Sequence, residues 1–549
     1  MILPRVKEEK LTAGKLCLSY KISVFIDNKD YEEKVLKVLK LFFPDGEFVA
    51  AENADIEIKY CDECAKREEK YFVGVNENIK IGYGDYRALI NALATVAQLA
   101  QDTKSGYEFP KCEIIDYPEC SYRGVLLDIA RGIKPMDELL SDIVTCAKAK
   151  MNAIQFHLND NDGMCVRFES IPEKCWRVDE TYSKDQLKEM VALCNLLGIE
   201  AVPEFDIPAH GKKFLTHMEN LRCVVPDLDR ISVWCMCAGK EETYSFCEKV
   251  IDEMCEIFTG KYFNICCDEL EMSDIVDWYF LCHWTDCEDC KALRRREGLK
   301  DRYEQFIYFV KRIYDMVKKH NKIPFIFSDQ IDCTKEDALP KDIVFWFWII
   351  AHPGRGPYDG CSYEKQLALG HKMINAPCRE TYLEAVKWLN AEKLSKWEVR
   401  KAETKELSEN VLGSCLPCWQ YGCNFPGDID YQLLYRRGFK PAVYMFGDRL
   451  WNDGEIKYKE SAYSVALTKA VLGQKTPVGL DVFKLLSDLI PYNQKIEELV
   501  DKDKTPLNEV KEILAILKEE CKGNDEYANN VKVMEHLYNQ ANVYISWFA

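Results

Sequence analysis

Two adjacent carboxylates, Asp268 and Glu269, close the short apolar run Tyr262-Phe-Asn-Ile-Cys-Cys-Asp-Glu-Leu270. Such a pair can do acid–base chemistry if its surroundings separate the two proton affinities. One carboxyl then keeps a proton to give to a leaving group, while the other stays ionised and stabilises developing positive charge. Side chains alternate along a strand, so Phe263, Ile265 and Cys267 share one face and Asn264, Cys266 and Asp268 the other. Asp268 therefore ends a strand on its less apolar side, and Glu269 opens the loop. The same two acids would also suit the first turn of a helix, where negative charge meets the positive end of the dipole. The pair alone does not define a site.

The elements around the pair decide between these readings. From Arg123 onward, apolar strand-like runs alternate with longer helical segments, the signature of repeated βα units. Strands are expected at Val125–Ala130, Asn152–Leu158, Ile199–Asp206, Tyr262–Asp268, Ile323–Asp329, Asp342–Trp348, His371–Pro377 and Val411–Trp419. Helices are expected at Asp137–Lys150, Lys184–Leu197, Thr243–Phe258 and Arg302–His320. Eight such strands close a barrel, so the fold class is α/β, a (β/α)8 TIM barrel over residues 119–456. Polar and aromatic residues collect where the strands end: Asp128 and Arg131, His157 and Asp160, Asp206 and His210, Asp268 and Glu269, Asp329, Trp346 and Trp348, Trp419. A lone His or Trp has an ordinary packing role. The recurrence at strand after strand points to one substrate site at the C-terminal face of the barrel.

Residues 1–118 read as a small α+β domain, with strands at Leu16–Ile26 and Ala54–Tyr60, helices at Tyr31–Phe43 and Tyr86–Gln101, and a hairpin over Tyr71–Gly82. Nothing in it assembles a catalytic set. Residues 457–549 read as a helical C-terminal extension, with amphipathic stretches at Ser461–Leu472, Leu480–Leu489, Leu507–Cys521 and Asn529–Phe548. Such helices would pack on the barrel or form a homo-oligomer contact.

The formal charge of −18 argues against nucleic acid as a partner, because phosphate binding requires a concentrated basic surface. The amino terminus lacks the apolar run of a signal peptide, and the longest apolar stretch, Ile343–Ala351, is too short to span a membrane. A cytoplasmic protein with no membrane contact is expected. The 26 cysteines are scattered through strand and helix patterns, which suits reduced core residues better than a disulfide framework. The densest group is Cys282-His-Trp-Thr-Asp-Cys287-Glu-Asp-Cys290. Its Cys-x-x-Cys resembles half of a zinc site, to which Cys282 or His283 would add, but the sequence offers no clear second half. The expectation is a loop with incidental thiols, no metal and no cofactor.

Several ordered segments together resemble glycoside hydrolase family 20, the β-N-acetylhexosaminidases. They are Arg123-Gly-Val-Leu-Leu-Asp-Ile-Ala-Arg131, Met151-Asn-Ala-Ile-Gln-Phe-His-Leu-Asn-Asp160, Gly198-Ile-Glu-Ala-Val-Pro-Glu-Phe-Asp-Ile-Pro-Ala-His210 and Asp268-Glu269. Asn375-Ala-Pro377, Val411-Leu-Gly-Ser414 and Gly447-Asp-Arg-Leu-Trp451 continue the match, which runs in register from about residue 70 to 455. The resemblance implies a carbohydrate substrate and substrate-assisted retaining catalysis, in which the sugar's 2-acetamido oxygen attacks its own anomeric carbon. It further implies that Glu269 is the general acid/base and that Asp268 orients the acetamido group. Asp160 and His210 match the supporting pair behind the acid, and Arg131 matches the arginine that grips sugar hydroxyls, with Asp128 holding it.

The departures from the family pattern lie in the sugar pocket. His-x-His becomes Gln155-Phe-His157, and Asp-Asp-x-Gly-Trp becomes Asp160-Asn-Asp-Gly-Met164. The end of the fifth strand carries Phe327-Ser-Asp-Gln330 where a tryptophan is usual. Pro-Trp-Tyr becomes Pro377-Cys-Arg-Glu-Thr-Tyr382, which makes Tyr382 the candidate to reach the acetamido oxygen. Trp419 keeps the pocket aromatic, with Trp346 and Trp348 as further wall, while Tyr421 replaces a glutamate that commonly binds an outer hydroxyl. The leading expectation is an exo-acting β-N-acetylhexosaminidase-like enzyme releasing terminal β-linked GlcNAc or GalNAc. The alternatives are a glycosidase for a modified or non-acetylated glycoside, with Asp329 or Glu380 as an added nucleophile, and a catalytically silent sugar-binding protein on the same barrel.

Overall fold

The computed structural model describes residues 1–161, 163–224, 234–270, 283–348, 361–384, 391–420, 431–458, 460–476, 478–479 and 481. The expected helices beyond Leu472 lie outside the described residues, as do Tyr421 and Cys282.

The chain first builds a mixed sheet in the order Glu8–Ser19, Gly106–Asp116, Tyr71–Val75, Ile79–Tyr83, Ile56–Tyr60, Lys21–Ile26, Glu47–Ala50. The single strand expected over Leu16–Ile26 is two strands. The chain bends at Tyr20, whose hydroxyl oxygen lies 2.6 Å from both Asp102 Oδ1 and the Thr103 carbonyl, and the two halves pair with different neighbours. Helices Lys29–Phe42 and Tyr86–Leu99 bury their apolar faces against this sheet. Asp85 starts the second helix by accepting the Ala88 amide at 2.9 Å, which satisfies one otherwise unpaired donor.

Eight parallel strands then close on themselves: Tyr122–Asp128, Ala153–His157, Glu200–Ile207, Tyr262–Cys266, Ile323–Phe327, Val344–Phe347, Met373–Asn375 and Val411–Trp419. The last strand pairs with the first over Gly413–Cys418 and Tyr122–Leu127, so no edge is left open. The barrel expected from the βα alternation is present. Alternate side chains, including Tyr122, Leu126, Ala153, Val202, Cys266, Phe325, Phe327 and Trp346, fill its interior as one cluster, while their strand neighbours join the core beneath the helices. Helices Met136–Lys148, Lys184–Leu196, Glu241–Ile257 and Arg302–Lys319 cover the first half. The crossover Ser328–Ile343 after the fifth strand contains no helix.

The first sheet and the barrel share a buried polar joint. Asp116 accepts from Tyr71 Oη at 2.6 Å, from Lys150 Nζ at 2.8 Å and from Trp451 Nε1 at 2.8 Å, joining the sheet, the loop before the second barrel strand and helix Tyr431–Asn452. Beside it, Arg123 pairs with Glu69 and also donates to the Lys150 and Cys120 carbonyls at 2.8 Å.

Candidate active site

The fourth strand ends as its alternation dictates. Asn264 and Cys266 point into the barrel, Phe263, Ile265 and Cys267 point outward, and Asp268 follows on the inner side. The chain leaves the strand through left-handed backbone at Cys266, Cys267 and Glu269, with φ of 55°, 65° and 47°. Non-glycine residues in this region each cost about 1–3 kcal/mol, and such strain collects where a side chain must be aimed. His210 at the end of the third strand is also left-handed, with φ 55°.

These turns assemble a continuous chain of charges. Arg131 donates to Asp128 Oδ2 at 2.8 Å and to Asp160 Oδ2 at 2.6 Å. Asp160 Oδ2 lies 3.3 Å from His210 Nδ1, and His210 Nε2 lies 3.2 Å from Glu269 Oε2. An arginine, a carboxylate and an imidazole thus stand in line behind Glu269, and the supporting residues expected from the sequence are in contact. Asp128 also accepts the Gln420 amide at 2.9 Å, which ties the eighth strand to the first.

The walls of the site come from neighbouring strand ends. Trp419 faces the Arg131 guanidinium at 5.2 Å, meets the His157 ring edge-on at 5.1 Å and lies 6.1 Å from Tyr382. Trp346 packs 5.1 Å from Phe327 on the barrel axis, and the buried indole nitrogens of Trp346 and Trp419 meet no hydrogen-bond acceptor among the described residues. Asp329 accepts the Glu269 amide at 2.9 Å and faces Trp348 Nε1 at 3.3 Å, so it stands directly beside the acid pair.

Two residues that the sequence reading did not name, Glu204 and Trp234, belong to the site, together with Asp206, which it expected at the end of the third strand. Glu204 is buried inside the barrel, where it bonds Gln155 and His157. Asp206 follows it two positions on, also buried. The i, i+2 placement of two acids inside an apolar strand was the available signal. Trp234 lies tilted at 53° with its ring centroid 4.6 Å from that of His210, and it donates to the Glu269 carbonyl at 3.1 Å. Nothing in its sequence neighbourhood marks it, because it reaches the site across a loop.

The electrostatics follow from burial. Asp268 is 9% exposed, and its burial, reinforced by the charge of Asp206, drives its carboxyl well above the ordinary range; His210 offsets part of this, while Asp329 and Glu269 add to it. The sequence reading makes Asp268 the ionised member of the pair. Burial favours its protonated form in the free protein, and a positive charge or a hydrogen-bond donor brought by a ligand would favour the ionised one. Burial also raises Asp206 to about 7 and Asp329 to about 6. His210 is disfavoured as a cation by burial, but Asp206 and the bonds to Asp160 and Glu269 outweigh that and hold it well above the usual imidazole range. Asp160 goes the other way. Burial opposes its charge, yet Arg131, His157 and His210 keep it well below the ordinary carboxylate range.

Trios such as His157, Asp160 and Asp206, or Asp206, His210 and Asp268, are close enough to share a cation. Arg131 and the two imidazoles already supply positive charge there, so the arrangement reads as an internally balanced acid–base network. The cysteines differ from expectation. Cys287 and Cys290 do have a second half, Cys223 and Cys237, brought to them from the loop after the third strand, whereas His283 is not part of that group.

The chain belongs to glycosyl hydrolase family 20: the family's catalytic-domain model matches residues 120–420. A beta-hexosaminidase of Porphyromonas gingivalis is 26% identical over 281 residues, which is 47% of this chain and 35% of that protein. A beta-hexosaminidase of Vibrio furnissii is 23% identical over 411 residues, 67% of this chain and 64% of that protein. The match thus spans less than two thirds of either relative. The crystal structure of a beta-N-acetylhexosaminidase from Bacteroides fragilis superposes with a TM-score of 0.72 at 21% identity, covering 86% of this chain and 95% of that one, and shares its fold.

Proposed function

We propose that this chain is an exo-acting β-N-acetylhexosaminidase that removes terminal β-linked GlcNAc or GalNAc by substrate-assisted, retaining catalysis. The observation that carries the reading is the Arg131–Asp160–His210–Glu269 chain beside the buried Asp268, the set that the family's mechanism requires.

In this reading Glu269 gives its proton to the glycosidic oxygen as the bond from that oxygen to the anomeric carbon breaks. The acetamido oxygen bonds to the same carbon from the opposite face, forming an oxazolinium ion. Asp268 gives up to bulk water, as substrate binds, the proton that burial favours in the free protein, and as a carboxylate it accepts a hydrogen bond from the acetamido N–H and stabilises the positive charge that grows there. Water then attacks the anomeric carbon, Glu269 takes its proton, and the ring opens with net retention. His210 and Asp160 orient the acid, Arg131 grips outer hydroxyls while Asp128 holds its guanidinium, and Trp419, Trp346, Trp348, His157 and Tyr382 form the wall. The free thiols suit a reducing, cytoplasmic setting.

Asp329 supports a second reading. A third carboxylate at the Glu269 amide is placed to serve as a nucleophile toward a glycoside lacking the acetamido group.

Replacing the acid tests the common core of both readings. Glu269→Gln is expected to lower kcat on an aryl N-acetyl-β-glucosaminide by about 10²–10⁴-fold, with folding judged by circular dichroism. Turnover at the wild-type rate would remove Glu269 from the chemistry.

A further inference from the structure

Four cysteines that the hydrolytic chemistry does not use converge beside the loops that carry it. Cys223 and Cys237 come from the stretch after the third barrel strand. Cys287 caps helix Glu288–Glu297, and Cys290 sits in its first turn. Cys237 Sγ lies 3.7 Å from Cys287 Sγ and 3.6 Å from Cys290 Sγ, and Cys223 Sγ lies 3.9 Å from Cys290 Sγ. All four residues are buried, and all four sulfurs lie within 4.8 Å of one another.

These separations select among the uses of four thiols. A disulfide holds its sulfurs at about 2.05 Å, so no pair here is bonded, and all four are free. Four thiolates around a tetrahedral ion at about 2.3 Å stand about 3.8 Å apart along each edge of the tetrahedron. The three separations of 3.6, 3.7 and 3.9 Å fall close to that edge, and the remaining ones lie within 4.8 Å. The surrounding backbone is fitted to the same geometry: a Cβ on Gly239 would lie 2.3 Å from the Asp289 carbonyl carbon and 2.6 Å from the Cys290 nitrogen, so only glycine lets the Cys237 loop approach the helix this closely. The helix amides add positive potential where thiolate charge would accumulate.

We propose that Cys223, Cys237, Cys287 and Cys290 bind one structural zinc ion as a closed four-thiolate site. With four protein ligands no coordination position is open to substrate, so the ion is a clamp and takes no part in hydrolysis. What it clamps is specific. Trp284 donates to the Met236 carbonyl at 2.7 Å, the Met236 amide donates to the Pro208 carbonyl at 2.8 Å, and Trp234 in the same segment touches both His210 and Glu269. The site thereby fastens the segment that braces the acid to a helix on the barrel's outer layer.

The test is the metal content of the whole chain, purified under reducing conditions, dialysed against metal-free buffer and measured by plasma mass spectrometry. About one zinc per chain is expected. Cys17→Ser, at an exposed cysteine of the first sheet, should keep it, and Cys290→Ser should lose most of it. Should Cys290→Ser not fold, cobalt exchange into the wild-type chain decides, with the intense thiolate-to-metal bands of a tetrahedral sulfur site expected. Metal-free protein with every thiol titratable, iron in place of zinc, or zinc retained in full by folded Cys290→Ser would overturn the proposal. None of these readouts depends on which glycoside is hydrolysed, so the zinc site and the hydrolytic reading stand or fall separately.

Discussion

Asp206 shows how a buried acid tunes this site at a cost to the fold. Its carboxyl is wholly enclosed, one oxygen meets no hydrogen-bond donor among the described residues, and burial raises it from 3.8 to about 7. Between pH ~4 and ~7 the folded state therefore holds a proton that the unfolded chain has lost, so this group's contribution makes stability fall as pH rises through that window. Above about pH 7 the penalty is fully present, on the order of 2–4 kcal/mol. Asp206→Asn is accordingly expected to raise Tm at pH 8 and to leave it nearly unchanged at pH 4, as thermal melts at the two pH values will show. A gain of equal size at both would mean that charge is not the cause. Asp160 has the opposite sign, since its depressed carboxyl adds stability that is lost as pH falls. At this scale the sequence is informative where a residue follows strand alternation, as Asp268 and His157 do, whereas Arg131, three residues beyond its strand, is legible only through the family resemblance. It is silent on burial, which decides that Asp268 rather than Glu269 is enclosed: Asp268 is 9% exposed, against 27% for the Glu269 side chain.

Among the elements, the strand-end turns set the precision of the site. Gly163 closes the turn after the second strand, where the Asp160 amide donates to the Gly163 carbonyl at 2.8 Å. A Cβ there would lie 1.6 Å from the Ala130 carbonyl oxygen, next to Arg131. Gly163→Ala must push the first and second strand ends apart and is expected to cost about 1–3 kcal/mol in urea unfolding, with a further loss of kcat/KM because Arg131 and Asp160 separate. Full retention of both would show that the turn relaxes without the site. All eight strands are legible because each apolar run is followed by polar chemistry. The helix-free crossover Ser328–Ile343 and the split at Tyr20 are less so, since both depend on which distant partner the backbone finds. The cysteine pairing fails for the same reason. Cys287 and Cys290 advertise themselves by spacing, whereas Cys223 and Cys237 lie far apart in the chain with no Cys-x-x-Cys spacing, and only the fold brings all four together.

Taken as a whole, the molecule is a barrel fastened to a separate sheet by buried charge. Lys150 and Asp116 are both fully buried and 2.8 Å apart, and the neighbouring Arg123–Glu69 pair repeats the arrangement. Removing one partner of such a pair leaves an uncompensated buried charge, so Lys150→Met is expected to destabilise the chain by roughly 3–5 kcal/mol. Urea unfolding followed by tryptophan fluorescence measures this, and a loss below about 1 kcal/mol would mean that the joint is not structural. Among the described residues no helix is long and apolar enough to cross a membrane.

In the proposed mechanism the substrate's own acetamido group is the nucleophile. This is tested most directly by comparing kcat/KM for an aryl N-acetyl-β-glucosaminide with that for the matching aryl β-glucoside. An intramolecular nucleophile held in place provides a large effective concentration, so a preference of at least about a thousandfold for the N-acetylated substrate is expected. Equal or faster hydrolysis of the plain glucoside would contradict the account and turn attention to Asp329 as the nucleophile.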